Sequence, residues 1–239
     1  MAIVLPPAMH LKRLALDLLF PRWCIGCGGE GDYICGACLR TLKVITPPVC
    51  ARCGRPQSNV STQDGCPGCA GWQAGIDGIR APFLFDGLIR DAVHELKYRN
   101  LRSLVPSLAG LLHSYLAENP VPGDCLVPVP VHPKRLRERG YNQSALLARG
   151  LGRLSGLPVV ADCLARRRYT PPQARSSGIN ERHNNVADAF ACRDGRLKDK
   201  KVILIDDVST SGATLSACAG ALKAAGAAAV WGLVIALEL

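Results

Sequence analysis

Residues 201–214 read KVILIDDVSTSGAT, and this stretch decides the fold. Val202, Ile203, Leu204 and Ile205 form an apolar run without polar alternation, the pattern of a strand covered on both faces in a parallel sheet. Asp206 and Asp207 follow at the strand's carboxyl end, the edge where open α/β sheets hold their ligands. Small and hydroxylated residues come next, Ser209, Thr210, Ser211, Gly212, Ala213 and Thr214, leading into an Ala-rich helix over 212–225. Such a turn lets successive backbone N–H groups converge on an anion at the helix N-terminus. The hydroxyls of Ser209, Thr210, Ser211 and Thr214 can add donors. The two carboxylates suit a different task, accepting hydrogen bonds from vicinal sugar hydroxyls. A phosphate cradle beside a diol acceptor specifies a ribose 5-phosphate. No G-x4-G-K-[ST] loop occurs, so this is not a Walker site. Two acids beside an anion cradle are costly in an ordinary capped strand–turn–helix that holds no ligand.

Working outward, the flanking sequence repeats the strand–helix alternation. Strands are expected at 83–85, 125–131, 157–165, 202–206 and 229–237, with Pro128 and Pro130 confined to an end or edge of theirs. Helices are expected at 86–99, 101–117, 141–155 and 212–225. Strands alternating with helices indicate an α/β fold around a parallel sheet. Upstream, 8–20 (AMHLKRLALDLLF) places Leu11, Leu14, Leu18 and Leu19 on one side of a short amphipathic helix, read as packing on its own protein rather than on a membrane. The chain of 239 residues thus divides into an N-terminal helix in 1–20, a small module at 21–75 and an α/β domain at 76–239.

The module at 21–75 is dominated by Gly, Pro and paired Cys, and no helical period survives in it. Eight of the chain's 12 cysteines form four C-x2-C pairs, Cys24/Cys27, Cys35/Cys38, Cys50/Cys53 and Cys66/Cys69. One such turn lets two thiolates grip a metal, and two turns complete a tetrahedral four-sulfur site. Eight ligands suit two structural zinc ions, paired either sequentially or in a cross-braced manner. A segment this small and poor in aromatics draws its folding energy from metal. Disulfides are the competing use of the thiols, but no export signal precedes them. Cys125, Cys163, Cys192 and Cys218 fall in apolar segments and read as core.

Hydrophobic residues make up 48% of the chain, enough for a packed core, so a wholly disordered protein is excluded. Apolar stretches are broken by charge well before the about 20 residues of a membrane span. A reducing, cytoplasmic location follows. Net charge is +10, and 133–182 alone carries +8. That concentration points to a polyanionic partner, a phosphorylated small molecule, a nucleic acid, or both. Only two aromatics, Tyr141 and Tyr169, lie within that basic stretch to stack on bases.

VILIDDVSTSGAT (202–214) resembles the diphosphoribosyl (PRPP) binding signature of type I phosphoribosyltransferases in its length, its paired acids and its T-S-G-x-T ending. PVPVHPKRLRERGYNQ (128–143), LFPRWCIGC (19–27) and HELKYRN (94–100) resemble segments of the ComF/GntX-like competence family, as does the run Arg168, Thr170, Gln173, Arg182, Asn185 and Phe190. The resemblance covers nearly the whole chain. It implies a double zinc ribbon followed by a type I phosphoribosyltransferase-like domain, with Mg²⁺ accompanying PRPP. It implies that Asp206 and Asp207 hold the ribose and that the turn at 209–214 holds its 5′-phosphate. His132, Pro133, Lys134 and Arg135 then make a pyrophosphate loop, followed by Arg139. A flexible loop at 166–182 brings Gln173 and Arg182 over the site. The family's link to uptake of transforming DNA implies single-stranded DNA and other competence proteins as partners. Two functions are compatible with this. One is Mg²⁺-dependent phosphoribosyl transfer to an unknown acceptor; the other is a non-catalytic PRPP sensor that holds single-stranded DNA. Nothing in the sequence reads a purine or pyrimidine, and the zinc module and the helices at 86–117 are expected in the place of the usual base-recognising hood.

Overall fold

The computed structural model describes residues 21–58, 66–69, 75–167, 189–192 and 195–239. The helix expected at 8–20, and Gln173 and Arg182 of the expected flexible loop, lie outside the described residues. The chain divides into two compact units, Met1–Leu42 and Lys43–Leu239.

In the first unit, a bridge between Trp23 and Glu30 closes a loop around the first knuckle. Gly28 turns the chain there with φ +72°, a conformation glycine adopts without steric cost. The N–H of Cys35 donates to Cys24 Sγ at 3.4 Å. A single helical turn, α1 (Gly36–Leu39), carries the second knuckle onward.

The second unit is built on a parallel sheet. Its strands are β1 (Gly78–Arg80), β2 (Phe83–Leu84), β3 (Cys125–Pro128), β6 (Lys201–Ser209) and β7 (Ala229–Leu237). Their order is β1-β7-β6-β3, and β2 continues the β1 edge along β7. All pairings in this sheet are parallel. Alternation along β6 sorts its apolar residues to two faces. Val202 and Leu204 join the core cluster that holds Leu215, Cys218 and Leu222 of α6 (Ala213–Ala224). On the other face lie α3 (Val105–Glu118) and α5 (Gln143–Ser155), which approach closely because Gly150 has no Cβ: one built there would sit 2.8 Å from Ala109 Cβ. Helix α2 (Gly87–Tyr98) starts on Asp86, whose carboxylate accepts from Gly87 N–H. The sheet is therefore buried on both faces, which is why β6 reads as an unbroken apolar run.

Two stretches differ from the expected elements. Residues 157–165 do not form one strand: 158–160 runs beside β3 through Leu126 N–H to Pro158 O and Val160 N–H to Leu126 O, both 2.9 Å. The chain then turns away and forms β4 (Leu164–Arg166), antiparallel to β5 (Phe190–Cys192). Residues 132–135, expected as a loop, instead cap and open a helix, α4 (Pro133–Arg139). His132 caps it by accepting from Lys134 N–H, Pro133 opens it, and Gly140 at φ +79° ends it, the usual asymmetry of proline inside the start and glycine past the end.

Candidate functional site: carboxylate pair, phosphate turn and zinc knuckles

The cysteines assemble sequentially, Cys24/Cys27/Cys35/Cys38 and Cys50/Cys53/Cys66/Cys69, with the four sulfurs of each set within 4.8 Å of one another. Separations of 3.7 Å for Cys27–Cys35 and Cys50–Cys69, 3.5 Å for Cys53–Cys66 and 3.9 Å for Cys66–Cys69 match the edge of a zinc–thiolate tetrahedron, about 3.8 Å for a Zn–S bond of about 2.3 Å. A disulfide needs about 2.05 Å, and none of the twelve cysteines forms one. Each set fits one zinc, and the cross-braced pairing is ruled out. Cys125, Cys163 and Cys218 are buried as expected, with Cys192 partly so.

The second set is fully buried and is stitched to the sheet. Ile79 N–H donates to Arg52 O at 2.8 Å, and Arg80 Nη1 to Ala51 O at 2.9 Å. Gly54 sits at φ +73° with its Cβ position 2.6 Å from Ile79 O, so no side chain fits there. Beyond it, Arg55 Nη2 donates to Thr210 O at 2.7 Å and lies 3.4 Å from Glu238 O. The second four-cysteine set therefore props, through Arg55, the turn that carries Thr210.

That turn follows β6 directly. Ser209 and Ser211 are buried, Thr210 is exposed, and Gly212 takes φ +74° at the N-cap of α6. No side chain caps the helix, and Ser211 Oγ approaches only Ala213 N–H, at 3.5 Å. The first-turn amides of Ala213 and Thr214 are thus presented at the positive end of a helix.

Beside the turn, the two acids have separate partners. Ser144 Oγ, in the first turn of α5, donates to Asp206 Oδ1 at 2.6 Å. Asn142 sets that turn, accepting from Ser144 and Ala145 N–H while its Nδ2 donates to Val129 O at 3.0 Å. Lys97, near the end of α2, pairs with Asp207 Oδ1 at 2.9 Å. Asp207 is only 3% exposed, and its Oδ2 is buried with no hydrogen-bond partner. Burial, and then the neighbouring Asp207 charge, push Asp206 up to about 7. Burial works against the Lys97 ammonium, but Asp207 outweighs it and the net shift is upward. A buried carboxylate oxygen without a donor is costly, and sugar hydroxyls are donors of the kind it lacks.

The remaining expected site residues sit on or near α4. His132 caps it, and Pro133, Lys134 and Arg135 make its first turn. Desolvation, then the cations of Arg166, Arg137, Arg135 and Lys134, hold His132 below its ordinary pKa, which keeps its Nδ1 available as the cap. Arg139 donates to Gln143 Oε1 and lies 5.7 Å over the Tyr98 ring. The sequence assigned no role to Lys97, Ser144 or Arg55. Lys97 lies inside the quoted HELKYRN segment, but nothing local to it or the others announces the contact each makes.

A double zinc ribbon followed by a parallel α/β domain is the class these features define. The family model of the double zinc ribbon domain matches residues 15–70. Competence protein ComFC of Bacillus subtilis (strain 168) is 30% identical over 208 residues, covering 83% of this chain and 81% of that protein. The chain belongs to the ComF/ComFC competence protein family. The DNA utilization protein YhgH of Salmonella typhi is 29% identical over 209 residues, covering 82% and 87% of the two chains. Among solved structures, a glutamine phosphoribosylpyrophosphate amidotransferase from B. subtilis aligns with 73% of this chain and 29% of that one, at 20% identity and a TM-score of 0.39. Among the described residues, no helix is long and apolar enough to cross a membrane.

Proposed function

We propose that the protein binds PRPP, or a related ribose 5-phosphate ligand, and transfers the phosphoribosyl group to an acceptor during the handling of incoming single-stranded DNA. The observation that carries this reading is the buried, unpartnered Asp207 Oδ2 beside an uncapped helix start. The amides of Ala213 and Thr214, with the hydroxyls of Ser209, Thr210, Ser211 and Thr214, take the 5′-phosphate. Asp206 and Asp207 accept from the ribose diol. Mg²⁺, bound with the donor, would neutralise pyrophosphate charge. In the transfer, the bond from ribose C1 to pyrophosphate oxygen breaks, its electron pair leaves with the pyrophosphate, and the acceptor's lone pair closes on C1. Negative charge builds on the leaving group, so cations aimed there lower the barrier. Lys134 and Arg135, on the chain that leaves β3, and Arg139 serve that end, and Gln173 and Arg182 are assigned to closure over it. Asp206, with its pKa near 7, can take up the proton that the acceptor loses. The two zinc ions are structural.

The names of the relatives, a competence protein and a DNA utilization protein, support a role with DNA and with other competence proteins. Thiolates that hold zinc suit the reducing cytoplasm. The test is pyrophosphate release from labelled PRPP with Mg²⁺ and a panel of bases, nucleosides and single-stranded DNA. Release above the hydrolysis background is expected with at least one acceptor. Donor binding without release would make the site a sensor, and absence of donor binding would end the reading.

A further inference from the structure

Between the end of α2, the turn after it and α4 lies a polar cavity of about 600 Å³, within the usual size of small-molecule sites. Lys97 lines it while pairing with Asp207, so the cavity and the carboxylate pair share one side chain. Arg135 and Arg139 add two further cations, against the single acid Glu138.

The cavity also has aromatic walls. Tyr98 is 73% exposed, with His94 edge-on at 5.6 Å and Phe85 tilted 6.1 Å from His94. Two other lining residues are held in place by their neighbours. Arg102 lies 4.4 Å over the ring of Tyr141, donates from Nε to Asn100 Oδ1 at 2.7 Å, and the Tyr141 hydroxyl donates to Leu96 O. Asn100 holds φ +58°, a left-handed conformation uncommon outside glycine and braced here by Arg102. The lining thus combines the braced Tyr141 and Asn100 with an exposed Tyr98 that has the Arg139 guanidinium beside it.

Each feature narrows the ligand. Cations alone would take any phosphate, and an aromatic face alone any flat apolar ring. Together they recognise a ring that carries an anion, since bases stack on aromatic faces and phosphates pair with arginine. We propose that this cavity binds a nucleotide unit, its base stacked on Tyr98 and its phosphate on Arg135 and Arg139, guanidiniums whose several donors it shares with the donor's pyrophosphate. The unit is either a free mononucleotide or one residue of a single strand. The inference rests on the proposed function for its orientation: through Lys97, the nucleotide is seated against the ribose that Asp206 and Asp207 hold. The acceptor-side contacts thus come from α2 and α4.

The test uses the full zinc-loaded chain. AMP is titrated by calorimetry, and fluorescein-labelled (dT)8 by anisotropy, against wild type, Tyr98→Leu, Tyr98→Phe and Arg139→Gln. Tyr98→Leu is expected to weaken binding by about 5- to 150-fold, the range for loss of one stacked base, while Tyr98→Phe stays near wild type. Loss on both probes assigns the site to free nucleotides, and loss on (dT)8 alone to a strand. Photocrosslinking of a 5-iododeoxyuridine strand should label Tyr98. Ribose 5-phosphate affinity should not change in Tyr98→Leu and should vanish in the Asp206→Asn/Asp207→Asn variant. If wild type binds nucleotide but no ribose 5-phosphate, the proposed function falls and the nucleotide site stands. If Tyr98→Leu matches wild type on both probes, or neither probe binds wild type, the nucleotide site is refuted.

Discussion

Asp206→Asn should make the protein more stable at pH 8 while removing the acid its ligand needs. Burial and the Asp207 charge raise the Asp206 carboxyl from the ordinary 3.8 to about 7. In the unfolded chain the same group ionises near its ordinary value. The sign follows from linkage: the folded state binds the proton more tightly, so this group's stabilisation is complete below about pH 4 and is lost as pH rises through about 7. A gap of roughly three units at about 1.4 kcal/mol each amounts to about 4 kcal/mol at pH 8. Asparagine does not titrate, and its carbonyl oxygen can still accept from Ser144 Oγ and from Asp207 N–H, as Oδ1 does now. Urea unfolding of wild type and variant, followed by circular dichroism in zinc-containing buffer from pH 5.5 to 8, reads the effect. Terms from the zinc thiolates are common to both proteins and cancel in the difference. The variant's advantage should widen by about 2 kcal/mol across that window. Parallel pH profiles, or a variant less stable than wild type at pH 8, would show that the Asp206 proton is not held as the geometry requires.

Lys97→Met leaves the buried Asp207 carboxylate uncompensated and should cost about 3–5 kcal/mol of stability by urea unfolding; adding Asp207→Asn should restore most of it, and an additive double variant would deny the pairing. Arg55→Ala removes the prop under Thr210 and should weaken ribose 5-phosphate binding about 3- to 10-fold with zinc content unchanged by atomic absorption; unchanged affinity would make the contact incidental. Chelation should release two zinc ions and expose eight further reactive thiols in a thiol titration, whereas equal thiol counts with and without chelator would remove both metal sites.

What the sequence disclosed and what it hid follow from the range of each signal. The β6 run and its T-S-G-x-T turn were legible because strand, anion cradle and paired acids are consecutive in the chain. The four knuckles were legible for the same reason, but their pairing was not, since C-x2-C spacing is identical under both arrangements and only the sulfur separations distinguish them. Ser144 and Arg55 were hidden because each meets its partner across 62 and 155 residues. Helix α4 was hidden by composition: its basic run offers no apolar period, although Pro133 and Gly140 bracket it as helix ends do. The run at 157–165 looked like one strand because the sequence gives apolar residues without saying which sheet receives them. Tyr98 is hidden as a partner of the basic stretch because it lies outside 133–182 in the chain and reaches Arg139 from another helix.

A crystal of the zinc-loaded protein soaked with ribose 5-phosphate and Mg²⁺ tests the site most directly. Phosphate oxygens should lie within hydrogen-bond distance of the amides at Ala213 and Thr214, and the 2′- and 3′-hydroxyls should donate to Asp206 and to the free oxygen of Asp207. A sugar phosphate bound elsewhere, or a turn that stays empty at saturating ligand with Asp207 Oδ2 still unpaired, would contradict the account.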